Sequence, residues 1–111
     1  MRFLMFVSSD SQPDAAPERP GEVEAWVVEN DRKGRRITGD RLRPMREAKM
    51  VRVRGGKVLV TDGPFSESKE VILGFDILEC RDMEEAIEVA AAHPMARAGR
   101  LELRAFWPSD G

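Results

Sequence analysis

The chain is predicted to fold as a ferredoxin-like α+β sandwich with an extra β-hairpin. Three observations predict this class. Its apolar patterns run in the order strand, helix, strand, hairpin, strand, helix, strand, which is the split βαβ order with an insertion. With 111 residues, the chain has room for one domain, residues 1–111, and one modest core. Residues 71–80 are apolar on both faces, as expected for a strand in a sheet that helices cover on one side.

A strand and a helix open the chain. Residues 3–7 are apolar at five consecutive positions, which is typical of a central strand covered on both faces. From about Pro20 the apolar spacing becomes helical, and Gly34 is suited to end this helix. The basic residues within 32–36 are expected to stabilise its C-terminus through the helix dipole. The residues at positions i, i+3 and i+4 are Val23, Trp26 and Val27.

A second strand and a hairpin follow. Residues 36–42 predict a strand with an irregular end. Residues 51–54 and 57–60 alternate around two glycines, which is typical of a hairpin with a two-residue turn at the edge of a sheet. In this register valines occupy one face of the ribbon and basic residues the other. The valines are Val51, Val53, Val58 and Val60, and the basic residues are Arg52, Arg54 and Lys57.

The second half supplies a strand, a helix and a last strand. Helices can cover only one face of residues 71–80, so another element or a second subunit must cover the other. Asp82 and Glu85 form a capping-box pattern at the start of a helix that ends near His93. His93 is expected to interact as a cation with the dipole of that helix. The last strand is expected at about residues 100–107.

The composition excludes several classes of function. The net charge is −2, from 18 basic and 20 acidic residues, so the chain lacks the excess of positive charge that is typical of proteins that bind nucleic acid. No stretch approaches the roughly 20 apolar residues that span a membrane. Cys80 is the only cysteine and His93 the only histidine, so we expect no internal disulfide, no metal site and no cofactor. The single cysteine and the lack of a signal-peptide pattern favour the cytoplasm.

The turn after the hairpin is the first functional candidate. Asp62-Gly63-Pro64-Phe65 predicts a rigid turn, because its glycine can adopt positive φ and its proline fixes φ. Asp62 would act as a general base if burial raised its pKa, or would accept backbone N–H groups in an Asx-type turn. Phe65 is either a pocket wall or a core anchor. Glu67 and Lys69 either hold a polar ligand or form ordinary surface charge.

This turn and the order of elements resemble the YCII-related family, specifically its D-G-P-F branch. The resemblance covers about residues 1–107 and is specific over residues 51–86. It implies a ferredoxin-like fold that forms a dimeric α/β barrel, with two sheets packed face to face. The chain departs from the branch at Leu73 and Asp76, where a glycine and an aromatic residue are usual. Beyond the hairpin and turn, the matching residues are Glu67, Lys69-Glu70, Gly74-Phe75, Glu79, Asp82, Glu85-Ala86 and the closing Leu101-Glu102-Leu103-Arg104.

What the resemblance implies about chemistry is limited. In one part of the family, a His–Asp pair in a cleft suggests an enzyme, and the fold resembles that of muconolactone isomerases. Their histidine would lie near the first helix, where this chain has none. Other members tend to be encoded beside extracytoplasmic-function sigma factors, which implies a regulatory association.

Three functions are compatible with these residues. The preferred one is a homodimer that binds or senses a small molecule in a pocket near the turn, formed by Asp62, Phe65, Glu67 and Lys69, because such a site needs no catalytic pair. The second is an isomerase or lyase with Asp62 as base. The third is a partner of a sigma factor, bound through the basic face of the hairpin. Trp107 is expected to pack within the chain or to contribute to a dimer contact.

Overall fold

The computed structural model describes residues 1–15, 19–63 and 70–108. The six strands and the two longer helices of this part follow one another in the predicted order, and a short third helix precedes the last strand. The strands are β1 (Arg2–Ser9), β2 (Arg36–Arg41), β3 (Lys49–Arg54), β4 (Lys57–Asp62), β5 (Ile72–Glu79) and β6 (Gly99–Ala105). The helices are α1 (Glu22–Arg32), α2 (Met83–Ala91) and the short α3 (Met95–Ala98), and a 3-10 turn spans Met45–Glu47.

Four strands form one sheet in the order β2-β5-β1-β6. Strand β1 pairs with β5 and with β6, and β2 pairs with β5, in each case antiparallel. The central position predicted for residues 3–7 is therefore confirmed. With the hairpin set aside, this strand order and the two long helices are consistent with a ferredoxin-like α+β fold.

The core lies between the helices and one face of this sheet. Directly paired strand residues place their side chains on the same face. Leu78 is paired with Phe3 and Asp76 with Met5, so the carboxylate of Asp76 belongs to the helix-covered face. The buried apolar residues of the core are Phe3, Met5, Val7, Trp26, Leu78, Cys80, Ala86, Val89 and Ala90.

The opposite face of the sheet is also apolar at its centre. Phe6 is paired with Phe75 and Leu4 with Ile77, and all four side chains are half-buried. Leu73 lies beside them on β5 and is exposed. The predicted apolar character of both faces of this strand is confirmed, while α1 and α2 place their buried residues on the other side.

The hairpin of β3 and β4 has the predicted register. Val53 lies opposite Val58 and Val51 opposite Val60, and both turn glycines have positive φ, as a two-residue primed turn requires. The expectation that it extends the edge of the main sheet is wrong, because β3 and β4 form a separate two-stranded sheet. Its four valines are 56–66% exposed. The radius of gyration is 16.2 Å, against about 13 Å for a compact chain of this length, in line with a projecting ribbon.

The helix boundaries follow local signals. Helix α1 ends at Arg32, and Gly34 just beyond it has φ +71°, so the predicted stop is confirmed. Oδ1 of Asp82 accepts a hydrogen bond from the Glu85 backbone N–H at 2.9 Å, and Glu85 in turn accepts one from the backbone N–H of Arg81. The capping prediction for α2 is therefore confirmed.

The C-terminal part of the chain departs from prediction in two ways. The chain re-enters a helical turn, α3, after Pro94, because proline suits the start of a helix as well as ending the preceding one. Strand β6 stops at Ala105, and Trp107 is 94% exposed. The prediction that Trp107 packs within this chain is therefore wrong, whereas the prediction that Trp26 is a packing residue is confirmed by its burial. None of the helices described has the length and apolarity needed to cross a membrane.

Candidate functional site

A cavity of about 740 Å³ lies between α1 and the side of the sheet formed by β2 and β5. This volume is within the range of roughly 300–1,000 Å³ that ligand sites occupy. Apolar side chains and glycines form most of its described wall, which six charged or polar side chains interrupt. The apolar side chains include Val7, Val23, Val27 and Met95. The polar side chains that are buried or half-buried are Arg36, Asp76 and His93, while Glu24, Asp40 and Arg41 are exposed.

Arg36 and Asp76 form a buried ion pair on this wall. Nε of Arg36 donates to Oδ1 of Asp76 at 2.7 Å, and the side chains are 15% and 9% exposed. The other two nitrogens of the guanidinium donate to Asp31 and to the backbone oxygen of Gly39, at 3.0 and 3.1 Å. Three separate acceptors therefore fix the guanidinium, which in turn fixes the position of the Asp76 carboxylate.

Gly39 makes room for this pair. A Cβ at this position would overlap Oδ1 of Asp76 and would lie 2.6 Å from the backbone oxygen of Phe75. The glycine inside β2, which looks like a weakness in the sequence, therefore marks a close approach of the carboxylate to the neighbouring strand.

Burial dominates the ionisation of Asp76. Removal from water raises the pKa of the Asp76 carboxyl, and the hydrogen bond and positive charge of Arg36 only partly oppose this effect. The carboxylate is thus held in an apolar cavity where its proton affinity is greater than in water. Raised carboxyl pKa values of this kind are characteristic of binding and acid–base sites.

His93 is buried beside the same cavity. It is 3% exposed, and its ring meets Trp26 edge-on with a centroid distance of 4.6 Å. Nδ1 accepts the backbone N–H of Met95 at 2.9 Å, so the neutral ring carries its proton on Nε2. Burial lowers the pKa of His93 to about 4. The expectation that His93 acts as a cation at the end of α2 is therefore wrong, since a buried imidazole loses hydration when it is charged.

The sequence offered no reason to pair the only histidine with an acid, yet His93 and Asp76 line one cavity. Within the described part of the chain, no hydrogen bond joins them. A carboxylate and a neutral imidazole give this apolar wall both an acceptor and a donor. Among these same residues, no group of three or more potential metal ligands comes together.

Asp62, the first candidate from the sequence, lies elsewhere, at the end of β4. Its side chain is 84% exposed and pairs with Nζ of Lys49. The hydrogen bond and charge of Lys49 lower the pKa of the Asp62 carboxyl, opposite to the shift that a general base needs. Its roles as base and as ligand contact remain predictions. The other predicted contacts, Phe65, Glu67 and Lys69, lie outside the described residues.

Gly63 follows Asp62 and does not have the positive φ that its place in the turn suggested. Its backbone N–H donates to the backbone oxygen of Ala48 at 2.9 Å. A Cβ there would lie 3.3 Å from the Cβ of Ala48, so close packing against the chain before β3 accounts for glycine at this position.

No pattern in the sequence assigned Arg36 or His93 to a site. Arg36 was expected to act on the dipole of α1, which is wrong because its guanidinium is directed to Asp76 and Asp31. A usable signal was present at Asp76, a charged residue in the middle of an apolar strand. An acid buried in such a strand requires a partner, although nothing in the sequence identifies which cation supplies it.

Comparisons with known proteins match the chain to one family. The model of the YCII-related domain matches residues 1–109, which include every residue of the cavity. An uncharacterized protein of Rhizobium meliloti (strain 1021) is 42% identical over 50 residues, which is 45% of this chain and 40% of that protein. The matched segment thus spans less than half of the length of either protein.

Proposed function

Since this chain belongs to the family of the YCII-related domain, we propose that it is a homodimer that binds or senses a small molecule in the cavity between α1 and the sheet. The observation that carries this proposal is Asp76, which is 7% exposed on a largely apolar wall. Burying a carboxylate costs free energy even when it is paired, and an apolar residue of similar size is often at least as stable. A charge buried on a cavity wall therefore suggests a ligand.

The proposed binding site is this cavity and not the turn at residues 62–65. Asp62 is exposed and paired with Lys49, so it offers a ligand no enclosed surface. The cavity offers apolar area together with a few oriented polar groups, the combination that small-molecule sites share. Arg36 acts in this site as a positioning residue, because its contacts orient Asp76.

The homodimer is proposed from the second face of the sheet. The central patch of Leu4, Phe6, Phe75 and Ile77 is left half-buried in a single chain, and exposed Trp107 follows the end of β6. Apolar patches of this kind mark contact surfaces, and sheet-to-sheet packing would produce the dimeric α/β barrel that the D-G-P-F branch implies. Light scattering should give twice the 12.5 kDa of one chain, and Phe75→Glu should give a monomer. A wild-type monomer would contradict this assembly.

A ligand screen tests the binding site. Compounds that raise the melting temperature of the wild type should also raise that of Asp62→Ala, and should fail to do so for Val27→Trp, which fills the cavity, and for Asp76→Asn. If Asp62→Ala alone loses the shift, the site lies at the turn. If Val27→Trp keeps the full shift, the cavity is not the binding site.

The raised pKa of Asp76 favours a second candidate, an enzyme of isomerase or lyase type with Asp76 in place of Asp62 as the base. Proton exchange at the carbon acid of a bound ligand, lost in Asp76→Asn, would distinguish turnover from binding. The association with a sigma factor stays a prediction from the resemblance, and the hairpin face assigned to it, with Arg52 and Arg54, is exposed.

A further inference from the structure

We infer that the cavity recognises a compact apolar molecule that carries a protonated amine, with Oδ2 of Asp76 as the acceptor. This inference rests on the cavity binding proposed above and adds the chemical class of the ligand. Three independent features of the cavity support it: an open carboxylate oxygen, an arginine whose nitrogens are already engaged, and a wall with more acidic than basic groups.

The open oxygen is the first feature. Oδ1 of Asp76 accepts from Nε of Arg36, while Oδ2 has no hydrogen bond to any described residue. The described side-chain atoms that are both sealed from solvent and without a partner are Asn30 Oδ1 and Arg35 Nε. Oδ2 therefore retains contact with open space in a residue that is more than nine-tenths buried, and it lies in a carboxylate on the cavity wall.

The engagement of Arg36 is the second feature. Each of its three nitrogens already donates to the protein: Nε to Asp76, Nη1 to Asp31 and Nη2 to Gly39. An anionic ligand would have to compete with these contacts for the guanidinium, and it would meet Asp76 at the same place. An ammonium group needs no rearrangement, because a charge-assisted hydrogen bond to Oδ2 can be added to the existing pair.

The charge of the wall is the third feature. The acidic side chains Glu24, Asp40 and Asp76 line the cavity, against Arg36 and Arg41. Arg36 is shared with a further carboxylate outside the cavity, that of Asp31, which reduces the positive charge it presents. His93 adds none near neutral pH, because burial keeps its ring uncharged. A wall with more negative than positive charge attracts cations and disfavours carboxylates and phosphates.

Three naphthalene probes of matched shape test the inference: 1-naphthylmethylamine, 1-naphthalenemethanol and 1-naphthoate. Titration of the full chain at pH 7, followed by methyl NMR signals of Val7, Val27 and Met95, reports occupancy of the cavity. We expect the amine to bind at least tenfold more tightly than the alcohol, and the carboxylate to bind more weakly still. If 1-naphthoate binds as tightly as the amine, the inference is overturned while cavity binding stands. If no probe shifts the cavity methyl signals, both proposals fall.

Two variants test whether Asp76 is the acceptor that makes the amine bind more tightly than the alcohol. Asp76→Asn should reduce the advantage of the amine over the alcohol to less than threefold, because the amide keeps the shape and loses the charge. Asp40→Asn, the same change on the same cavity wall, should keep an advantage of at least fivefold. An unchanged advantage in Asp76→Asn, with the fold verified by circular dichroism, would rule out Asp76 as the acceptor. Should Asp76→Asn fail to fold, the ranking of the three probes on the wild type still decides the inference.

Discussion

Nε of Arg36 lies 2.7 Å from Oδ1 of Asp76, which joins the first residue of β2 to the middle of β5. The two residues are 40 positions apart in the chain, and the hairpin lies between them. This ion pair connects the fold to the candidate site, since the contact that helps attach edge strand β2 to the sheet also orients the buried carboxylate of Asp76 on the cavity wall.

Removal of the cation should destabilise the fold. In Arg36→Met, Asp76 stays buried without a counter-charge, and we expect a loss of about 3 kcal/mol in the free energy of unfolding, from the cost of breaking a buried pair. Urea denaturation measures it. The double variant Arg36→Met, Asp76→Leu should recover much of the loss, because it removes both charges. Arg32→Met, which breaks an exposed pair with Glu29, is the control and should change little.

Gly39→Ala tests the close approach of the two strands. The new methyl group would meet the Asp76 carboxylate and the backbone oxygen of Phe75, so β2 must shift or the ion pair must move. We expect a cost of about 1–3 kcal/mol from overpacking, measured by thermal unfolding. Thr38→Ala at the neighbouring exposed position is the matched control. Equal melting temperatures for the two variants would show that β2 has room at residue 39.

His93 should titrate well below an ordinary histidine. As the only histidine, it gives one set of ring signals, and we expect an NMR midpoint near pH 4 in the folded protein. The unfolded chain binds this proton near pH 6.5. The free energy of unfolding should therefore fall as pH drops from about 6.5 to about 4, by about 3 kcal/mol in all. His93→Gln should lack this part of the pH dependence. A midpoint near 6.5 would show that the ring is hydrated.

The N-terminus of α2 offers a prediction independent of the site. Asp82→Ala removes the acceptor for the Glu85 backbone N–H, and we expect the free energy of unfolding to fall by about 1 kcal/mol. Glu84→Ala, in the same turn and exposed, should change it by less than about half of that amount, which equilibrium denaturation can resolve. The cavity should be unaffected, so probe binding by Asp82→Ala should match that of the wild type.

Local signals in the sequence predicted most of the fold correctly. The five apolar residues at 3–7, the two glycines at 55 and 56, and the Asp82–Glu85 pair each act over a few residues, so their outcomes follow from backbone geometry and side-chain periodicity. The separate position of the hairpin was not predictable in this way, because pairing between β3 and β4 says nothing about whether either strand also pairs with β2.

The candidate site depends even more on contacts between distant parts of the chain, which local sequence signals do not predict. Asp62 was the first candidate because charges cluster near it in the sequence. The pKa of its carboxyl depends on burial, however, and burial is a property of the folded chain. Arg36 lies on β2, Asp76 on β5 and His93 in the turn between α2 and α3, and only the strand order β2-β5-β1-β6 and the packing of the helices bring them to one wall.

The sequence by itself therefore determined the six strands, the two longer helices, their order, the family and the presence of an acid in the middle of an apolar strand. Tertiary structure alone decided which cation meets that acid, which face of the sheet receives it and that the only histidine is uncharged at neutral pH. The physical reason is that periodicity and capping act between neighbours in the chain. Desolvation and ion pairing depend instead on distances between residues that the chain order leaves far apart.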